Sequence, residues 1–274
     1  MLRTFLYVLA ATAALATSIS AQAQTGPGYI TDGTLHMPTQ GNGATFNFTA
    51  SVGQYISVTV QEQASNISSL QLRIFNPSFV PVYDQTFTAP PSGGMGTIGC
   101  NVPGGTAGCW TNIIANLGPI ASGAAGNYLV IVTPVTGSGD VTYTVTSPLP
   151  TSGVVINGGP TSRISLYPGQ GLLMQVPLSA GQNYTLTVSE TNGYIPGNKG
   201  TVLHPNGNAI GTFFENATCP NPCGLGQYSG SGWVAFTAPI AGTYGFLLQQ
   251  LTQTTGPNGY NTPLNTSTFT LTSP

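Results

Sequence analysis

Charged residues are scarce in this chain, and their scarcity limits what it can bind. Lysine and arginine together number 4 and aspartate and glutamate 6 among 274 residues, or 4% charged, where about 25% is usual in soluble domains. Without clustered basic residues, the chain lacks the electrostatic surface that binds nucleic acid or an acidic membrane. Its polar surface must come from Ser, Thr, Asn, Gln and Gly, which suit neutral ligands such as sugars. Weak charge repulsion also permits self-association.

Residues that perform catalysis are equally few, and they are scattered. The acids are Asp32, Glu62, Asp84, Asp140, Glu190 and Glu215. Glycoside hydrolysis needs two carboxyls facing each other across a bond, but Glu62 and Glu190 occupy the same position in two repeated segments. A hydrolytic triad needs a histidine beside a nucleophile and a carboxylate, whereas His36 lies in the opening segment and His204 in an HPNG turn. We therefore expect no enzymatic activity and no cofactor.

Metal sites are also not indicated by the sequence. Calcium prefers six to eight oxygen ligands, which usually come from clustered Asp and Glu, and the acids here are dispersed. We expect no metal site of that kind. A calcium site built from backbone carbonyls and Asn stays open as an alternative.

The first 23 residues have the pattern of a secretory signal. Arg3 precedes an apolar run from Phe5 to about Ala16, and Ala21-Gln22-Ala23 fits the small-residue rule for cleavage. The sequence therefore predicts an exported protein, extracellular or periplasmic, that begins at Gln24 after cleavage. An uncleaved anchor is the alternative. The apolar run is short for that role, and no later stretch approaches the roughly 20 apolar residues that cross a bilayer.

Four cysteines in an exported chain are expected to form disulfides. They are Cys100, Cys109, Cys219 and Cys223. Spacing favours the local pairs, Cys100 with Cys109 and Cys219 with Cys223, since each pair brackets a loop rich in Gly and Pro. A zinc site is the alternative, but both histidines are distant in sequence from the cysteines.

The chain contains two copies of one segment. Several stretches recur in the same order, which are GQYISVTV (53–60) with GQNYTLTV (181–188), RIFNP (73–77) with TVLHP (201–205), and YTVTSP (143–148) with FTLTSP (269–274). GPIASGAAGNY, ending at Tyr128, likewise matches APIAGTY, ending at Tyr244, and YITDG (29–33) is aligned with VINGG (155–159). The sequence therefore predicts two domains, 24–148 and 149–274, each long enough for its own core.

Apolar residues alternate with polar ones throughout the mature chain. Ile56, Val58 and Val60 share one face of a predicted strand, and Tyr184 begins the matching face in the second copy. Clusters of Gly, Pro, Asn and Ser interrupt these runs, and no helical apolar stripe is sustained. The pattern is typical of antiparallel β-sandwiches or jelly rolls, so we predict an all-β fold with two tandem sandwiches.

Aromatic residues provide further expectations. Tyr128 and Tyr244 end equivalent motifs and are expected in the two cores. Trp233 is aligned with Ile113 inside a strand, and it is also expected in a core. Trp110 directly follows Cys109, where it either covers the predicted disulfide or presents an exposed stacking surface.

The order of these motifs resembles that of bacterial pre-peptidase C-terminal domains. The resemblance rests on a Gly-Gln turn into a strand, an apolar strand that ends in Asn-Pro or His-Pro-Asn-Gly, and a Gly-x-Tyr strand before Tyr-x-Val or Phe-x-Leu. It covers roughly residues 44–147 and 171–272, and it implies a jelly-roll-like sandwich associated with secretion, localisation or attachment. No peptidase precedes the copies in this sequence. Residues 68–71 and 196–199 also lack the acids that many members carry before the third apolar strand.

Two functions from different classes fit the sequence. The first is a non-catalytic binding or attachment protein that recognises a neutral polysaccharide, a cell-envelope component or a protein through sandwich loops. Trp110 is the candidate binding residue, because loops on a rigid sandwich commonly carry recognition. The second is a structural protein that associates with copies of itself.

Overall fold

The chain folds almost entirely into β-strands. The computed structural model describes residues 28–63, 67–88, 111–151, 153–164, 169–191, 198–214, 216–218, 229–250, 253–254 and 266–274. Within these ranges the elements are β-strands and a single turn of 3-10 helix, Ser122–Ala124. The prediction of an all-β fold with paired antiparallel sheets is confirmed. None of the helical structure in these ranges has the length and apolar character needed to cross a membrane.

The first half forms two four-stranded antiparallel sheets. Its strands are β1 (Tyr29–Met37), β2 (Ala44–Ala50), β3 (Ile56–Gln63), β4 (Ser69–Phe75), β5 (Pro81–Thr88), β6 (Thr111–Leu117), β7 (Gly126–Thr136) and β8 (Gly139–Thr146). One sheet has the order β1-β8-β3-β6, and the other has the order β2-β7-β4-β5.

The second half repeats this arrangement and extends it. Its strands are β9 (Leu149–Thr151), β10 (Thr161–Ile164), β11 (Leu172–Leu178), β12 (Asn183–Thr191), β13 (Asn198–Leu203), β14 (Ala209–Phe214), β15 (Asn216–Thr218), β16 (Ser229–Thr237), β17 (Gly242–Gln250), β18 (Gln253–Thr254) and β19 (Thr266–Thr272). The sheet β10-β19-β12-β16 matches β1-β8-β3-β6, with β15 added at its edge. The sheet β14-β13-β17-β11 matches β5-β4-β7-β2, and β9 is added parallel to β11.

Strict alternation of side chains explains why these segments are strands. In β2, ATFNFTA, every second residue is buried and the others are exposed, and β11, LLMQVPL, buries the same positions. The buried sets form two clusters, one from residues 35–145 and one from residues 154–271. Ile56, Val58 and Val60 lie in the first cluster and Tyr184 lies in the second, as their alternation predicts.

Two equivalent tyrosines tie a turn to each core. Tyr128 and Tyr244 are almost fully buried, as predicted. The Tyr128 hydroxyl donates to the carbonyl of Ala124 at 2.8 Å, and the Tyr244 hydroxyl donates to that of Ile240 at 2.9 Å. In each half the acceptor lies four residues upstream, an arrangement like the tyrosine corner of other sandwiches. Burial also raises the pKa of Tyr128, because the charged form is poorly solvated there.

The opening segments of the two copies align differently from the sequence prediction. Residues 155–159 form a turn rather than a strand, because Asn157 and Gly159 adopt φ values of 57° and 86°. The strand equivalent to β1 begins later. Thr161 of β10 pairs with Phe269, just as Gly33 of β1 pairs with Tyr143. The match of YITDG with VINGG was therefore wrong.

The second half contacts the first through a turn and a short strand. A Cβ atom added at Gly169 would lie 1.9 Å from the Thr59 hydroxyl and 3.4 Å from the Ile114 side chain, so the turn before β11 packs directly on the first half. The Gln170 amide donates to the carbonyl of Ser147 at 3.2 Å. In addition, β18 pairs with β6 through Thr254 and its neighbour.

Because of Tyr83, the stability of the first half should fall as the pH rises through the alkaline range. Its side chain packs against the first core, and burial raises its pKa from 10.0 to about 12. The folded chain keeps this proton more tightly than the unfolded chain, so the stabilisation is complete below pH 10.0 and is lost as the pH rises to about 12. We predict that wild type loses stability relative to Tyr83→Phe over this interval, in denaturant unfolding at each pH. Parallel stability curves for the two proteins would contradict the prediction.

Candidate binding face

Trp233 lies on the surface and not in a core. It is 68% exposed, on the outer side of β16. In the sheet register Trp233 pairs with Thr187, as Ile114 pairs with Thr59 in the first half. Trp233 therefore corresponds to Ile114 and not to Ile113. A shift of one residue moves a side chain to the opposite face of a strand, so the prediction of a core position was wrong.

Trp233 is surrounded by small uncharged side chains. We call the outer surface of the sheet β10-β19-β12-β16 the Trp233 face, and its described members are Ser162, Ile164, Asn183, Thr185, Thr187, Ser189, Ser231, Trp233, Ala235, Thr237, Thr268, Thr270 and Thr272. Each of these side chains is exposed or half-buried. Nine of the thirteen carry a hydroxyl, and none carries a charge. The face is thus a broad neutral surface of hydroxyls with one large aromatic ring.

Some of these hydroxyls are held in place by neighbours on the same face. Ser162 and Thr268 share a hydrogen bond of 2.8 Å across β10 and β19. The Thr237 hydroxyl donates to the Asn183 side chain at 2.6 Å. These bonds fix side-chain positions while leaving further lone pairs for a ligand, because each hydroxyl has one donor and two acceptor sites. Paired strands also keep the backbone rigid, so a ligand would meet a surface that is already ordered.

The equivalent face of the first half is covered at its centre. Ser57, Thr59, Ile114 and Thr146 are buried there. Their counterparts in the second half are, in order, Thr185, Thr187, Trp233 and Thr272, which are exposed or half-buried. The cover over the first face includes the turn at Gly169. The Trp233 face is therefore the open one of two related faces.

A second polar cluster lies at the β1–β8 edge. The antiparallel register places His36 opposite Asp140, and their side chains are in contact through His36 Nδ1 and Asp140 Oδ1. The residues are separated by most of the first copy, so only strand pairing could have joined them. Both side chains are largely exposed, and exposed pairs of this kind contribute little to stability.

A tyrosine pair occupies the same edge. The Tyr29 hydroxyl donates to Asp32 at 3.0 Å, and Tyr143 stacks on Phe46 with ring centroids 3.7 Å apart. Burial, chiefly, raises the pKa values of both Tyr29 and Tyr143, and the nearby Asp32 carboxylate adds to the effect. These hydroxyls therefore stay protonated and act as neutral hydrogen-bonding groups.

The remaining sequence predictions concern His204, two glutamates, metal binding and the cysteine loops. His204 is a turn residue as predicted, since its carbonyl accepts from the Gly207 amide at 2.7 Å. The backbone places Glu62 and Glu190 near the ends of β3 and β12 in separate sheets. Among the side chains that the structure describes, no three His, Cys, Asp or Glu residues are grouped to hold a metal. Trp110 and the four cysteines, Cys100, Cys109, Cys219 and Cys223, lie outside the described residues.

Comparisons with known proteins leave the family open. No protein-family model matches the chain, and no curated protein matches it. Among solved structures, the crystal structure of the STIV MCP is 11% identical, with 89% of this chain and 96% of that chain covered and a TM-score of 0.25. The N-terminal CBM22-1-CBM22-2 tandem domain of Paenibacillus barcinonensis Xyn10C is 8% identical, with 94% and 97% covered and a TM-score of 0.24.

Proposed function

We propose that this chain is an exported, non-catalytic binding or attachment protein whose ligand is a neutral extracellular polysaccharide. The observation that carries the proposal is Trp233, which stands 68% exposed within an uncharged hydroxyl surface. The secretory signal, the two local disulfides and the resemblance to pre-peptidase C-terminal domains belong to the same proposal. All three fit a protein that acts outside the cytoplasm.

The chemistry of the Trp233 face matches that of a sugar chain. A tryptophan ring offers a large, rigid apolar surface, on which the apolar side of a sugar ring can lie. Thr185 and Thr187 present hydroxyls beside it, and a hydroxyl can both donate to and accept from the hydroxyls of a sugar. The absence of charge among the described members of the face means that no ion has to be desolvated on binding.

The cysteine loops are a second contact surface in this proposal. Trp110 belongs to the loop predicted to be closed by Cys100 and Cys109, and such a loop would be ordered before binding, which lowers the entropic cost of binding. The relative losses in Trp110→Ala and Trp233→Ala distinguish the two surfaces. Whichever variant loses more affinity identifies the main contact.

We predict that Trp233→Ala weakens polysaccharide binding by at least about tenfold, which corresponds to about 1.4 kcal/mol. The measurement is a glycan array followed by titration of the best ligand. Trp233→Phe should retain most of the affinity because it keeps an aromatic ring. Stability should hardly change in either variant, since the side chain is exposed.

The matched control is Phe214→Ala, which removes another exposed aromatic, 59% accessible, from β14 in the other sheet of the same half. It should bind as wild type does. Equal affinities of Trp233→Ala and wild type would remove the Trp233 face from the site. Failure of wild type to bind any polysaccharide would refute the proposed ligand.

A further inference from the structure

Within the chain, a turn of the second half packs on the outer face of the first half. The turn that carries Gly169 and Gln170 packs on the centre of the first half's outer face, against Thr59 and Ile114. Gln170 is 1% exposed in this position. Each surface in this contact has a counterpart in the other half, and both counterparts are accessible to solvent.

The counterpart of the docked turn is residues 39–43, which we call the Gly41 turn. It precedes β2 as the docked turn precedes β11, and Gly41 and Gly169 have similar φ values of 80° and 70°. A Cβ atom at Gly41 would meet none of the described residues within 4 Å, and every residue of the turn is exposed. Asn42 occupies the place of the buried Gln170.

The counterpart of the covered surface is the Trp233 face. Thr187 and Trp233 stand where Thr59 and Ile114 receive the docked turn. The two halves therefore leave complementary surfaces unpaired on one molecule, with the turn on the first half and the face on the second.

We propose that chains associate head to tail, with the Gly41 turn of one molecule seated on the Trp233 face of the next. Because the two surfaces differ, the contact is heterologous, and repeating it gives an open row or a closed ring. This inference goes beyond the proposed function. Association and polysaccharide would compete for the same face.

Composition and geometry both support another molecule of this chain as the partner that occupies the Trp233 face. Neither surface carries a charge among its described residues, so their approach leaves no ion unpaired. Glycine in the turn allows the backbone to come close, as Gly169 does. Trp233 also offers a larger apolar surface than Ile114 does.

The contact between molecules is weaker than the contact within one. The internal contact includes the pairing of β18 with β6, and β7 and β8 of the first half are joined by residues 137–138 alone, which leave no room for such a strand. The covalent link between copies also raises their effective concentration. Association is therefore concentration-dependent.

The first test is sedimentation velocity of the full exported chain over increasing concentration. We expect the average mass of wild type to rise with concentration above that of the monomer. Asn42→Asp keeps the shape of the turn, since the Thr39 hydroxyl that now accepts from Asn42 at 2.6 Å can donate to the carboxylate instead. It places a charge at the position buried in the docked turn, so association should weaken by at least about tenfold.

The matched control is Asn206→Asp, which adds the same charge to the exposed turn between β13 and β14. These strands belong to the sheet of the second half that does not carry the Trp233 face. The Asn206 side-chain oxygen accepts from the Asn208 amide at 3.1 Å, and a carboxylate preserves that bond. This variant should associate as wild type does. Equal association of Asn42→Asp and wild type, or a wild-type protein that stays monomeric, would overturn the proposal.

Complementation tests the direction of the contact. Thr187→Glu blocks the face and Asn42→Asp blocks the turn, so each alone should associate at least about tenfold more weakly than wild type. Their mixture should form a heterodimer that stops at two, because one intact turn and one intact face remain. A mixture that stays monomeric while wild type associates would contradict the head-to-tail geometry.

Trp233→Ile separates this inference from the proposed function. It restores at the open face the residue type found at Ile114, so association should persist while polysaccharide stacking is lost. Asn42→Asp should do the opposite, losing association and retaining polysaccharide binding. Loss of association in Trp233→Ile, with the fold intact, would contradict the equivalence of the two faces.

Discussion

Replacing Gly169 with alanine should destabilise the chain by more than the same replacement at Gly41. Both glycines have positive φ values, 70° and 80°, so either alanine pays a backbone cost of about 1–2 kcal/mol. Only at Gly169 does the new Cβ atom collide with the other half, 1.9 Å from the Thr59 hydroxyl. Forcing atoms into a filled contact adds about 1–3 kcal/mol.

Denaturant unfolding of Gly169→Ala and Gly41→Ala, followed by circular dichroism, measures this difference. The two variants share the backbone strain, so subtracting one from the other isolates the contact between the halves. If they lose the same free energy of unfolding, the turn at Gly169 does not pack on the first half as described.

Truncating either core tyrosine should have the largest effect on stability. Tyr128→Ala and Tyr244→Ala each remove a buried aromatic side chain, and we expect losses of about 3–5 kcal/mol in the free energy of unfolding. Tyr128→Phe and Tyr244→Phe keep the ring and lose only the bonds to Ala124 and Ile240. They should therefore cost about 0.5–1.5 kcal/mol.

The comparison between halves checks that the two tyrosines are equivalent. Tyr244→Phe should cost as much as Tyr128→Phe or slightly more. The two donated bonds are 2.8 Å and 2.9 Å long and run to equivalent carbonyls, while the Tyr244 hydroxyl also accepts from the Ile240 amide at 3.4 Å. A phenylalanine variant as unstable as its alanine partner would show that the hydrogen bond, and not the ring, dominates. An alanine variant that loses less than about 1 kcal/mol would contradict burial of the side chain.

Alternation along single strands predicted much of the fold. A strand has a period of two, so one buried residue fixes which of its neighbours are buried. This is why the orientations of Ile56, Val58 and Val60 could be predicted without the structure. The two tyrosines were equally predictable, because each ends a motif that is repeated in the other half.

Trp233 shows where that approach fails. The strand that contains Trp233 follows the cysteine loop, whose length differs between the two halves. The alignment of the two halves after this loop can therefore slip by one residue. Ile113 and Ile114 are adjacent and identical in type, and nothing in composition tells which one Trp233 replaces. Strand pairing decides the question, since Ile114 is opposite Thr59 and Trp233 is opposite Thr187.

The contacts between the halves could not be predicted from the sequence either. The Gly41 turn and the turn at Gly169 are both rich in glycine, yet one is exposed and the other is buried against Thr59. That difference arises from the position of each copy in the tandem and not from its residues. A repeat therefore predicts that two surfaces are related without predicting which of them is covered.

The two outer strands β5 and β14 carry unequal protection against amyloid-like growth. Among the strands that the structure describes, each ends its sheet, and an exposed edge offers unpaired backbone groups to a foreign strand. In β5, Pro81 and Asp84 are devices that discourage such pairing, whereas β14, AIGTFF, has neither a proline nor a charge. Ile210 and Phe214 are exposed along it. Under mild destabilisation, fibrils of this protein would be expected to nucleate at β14.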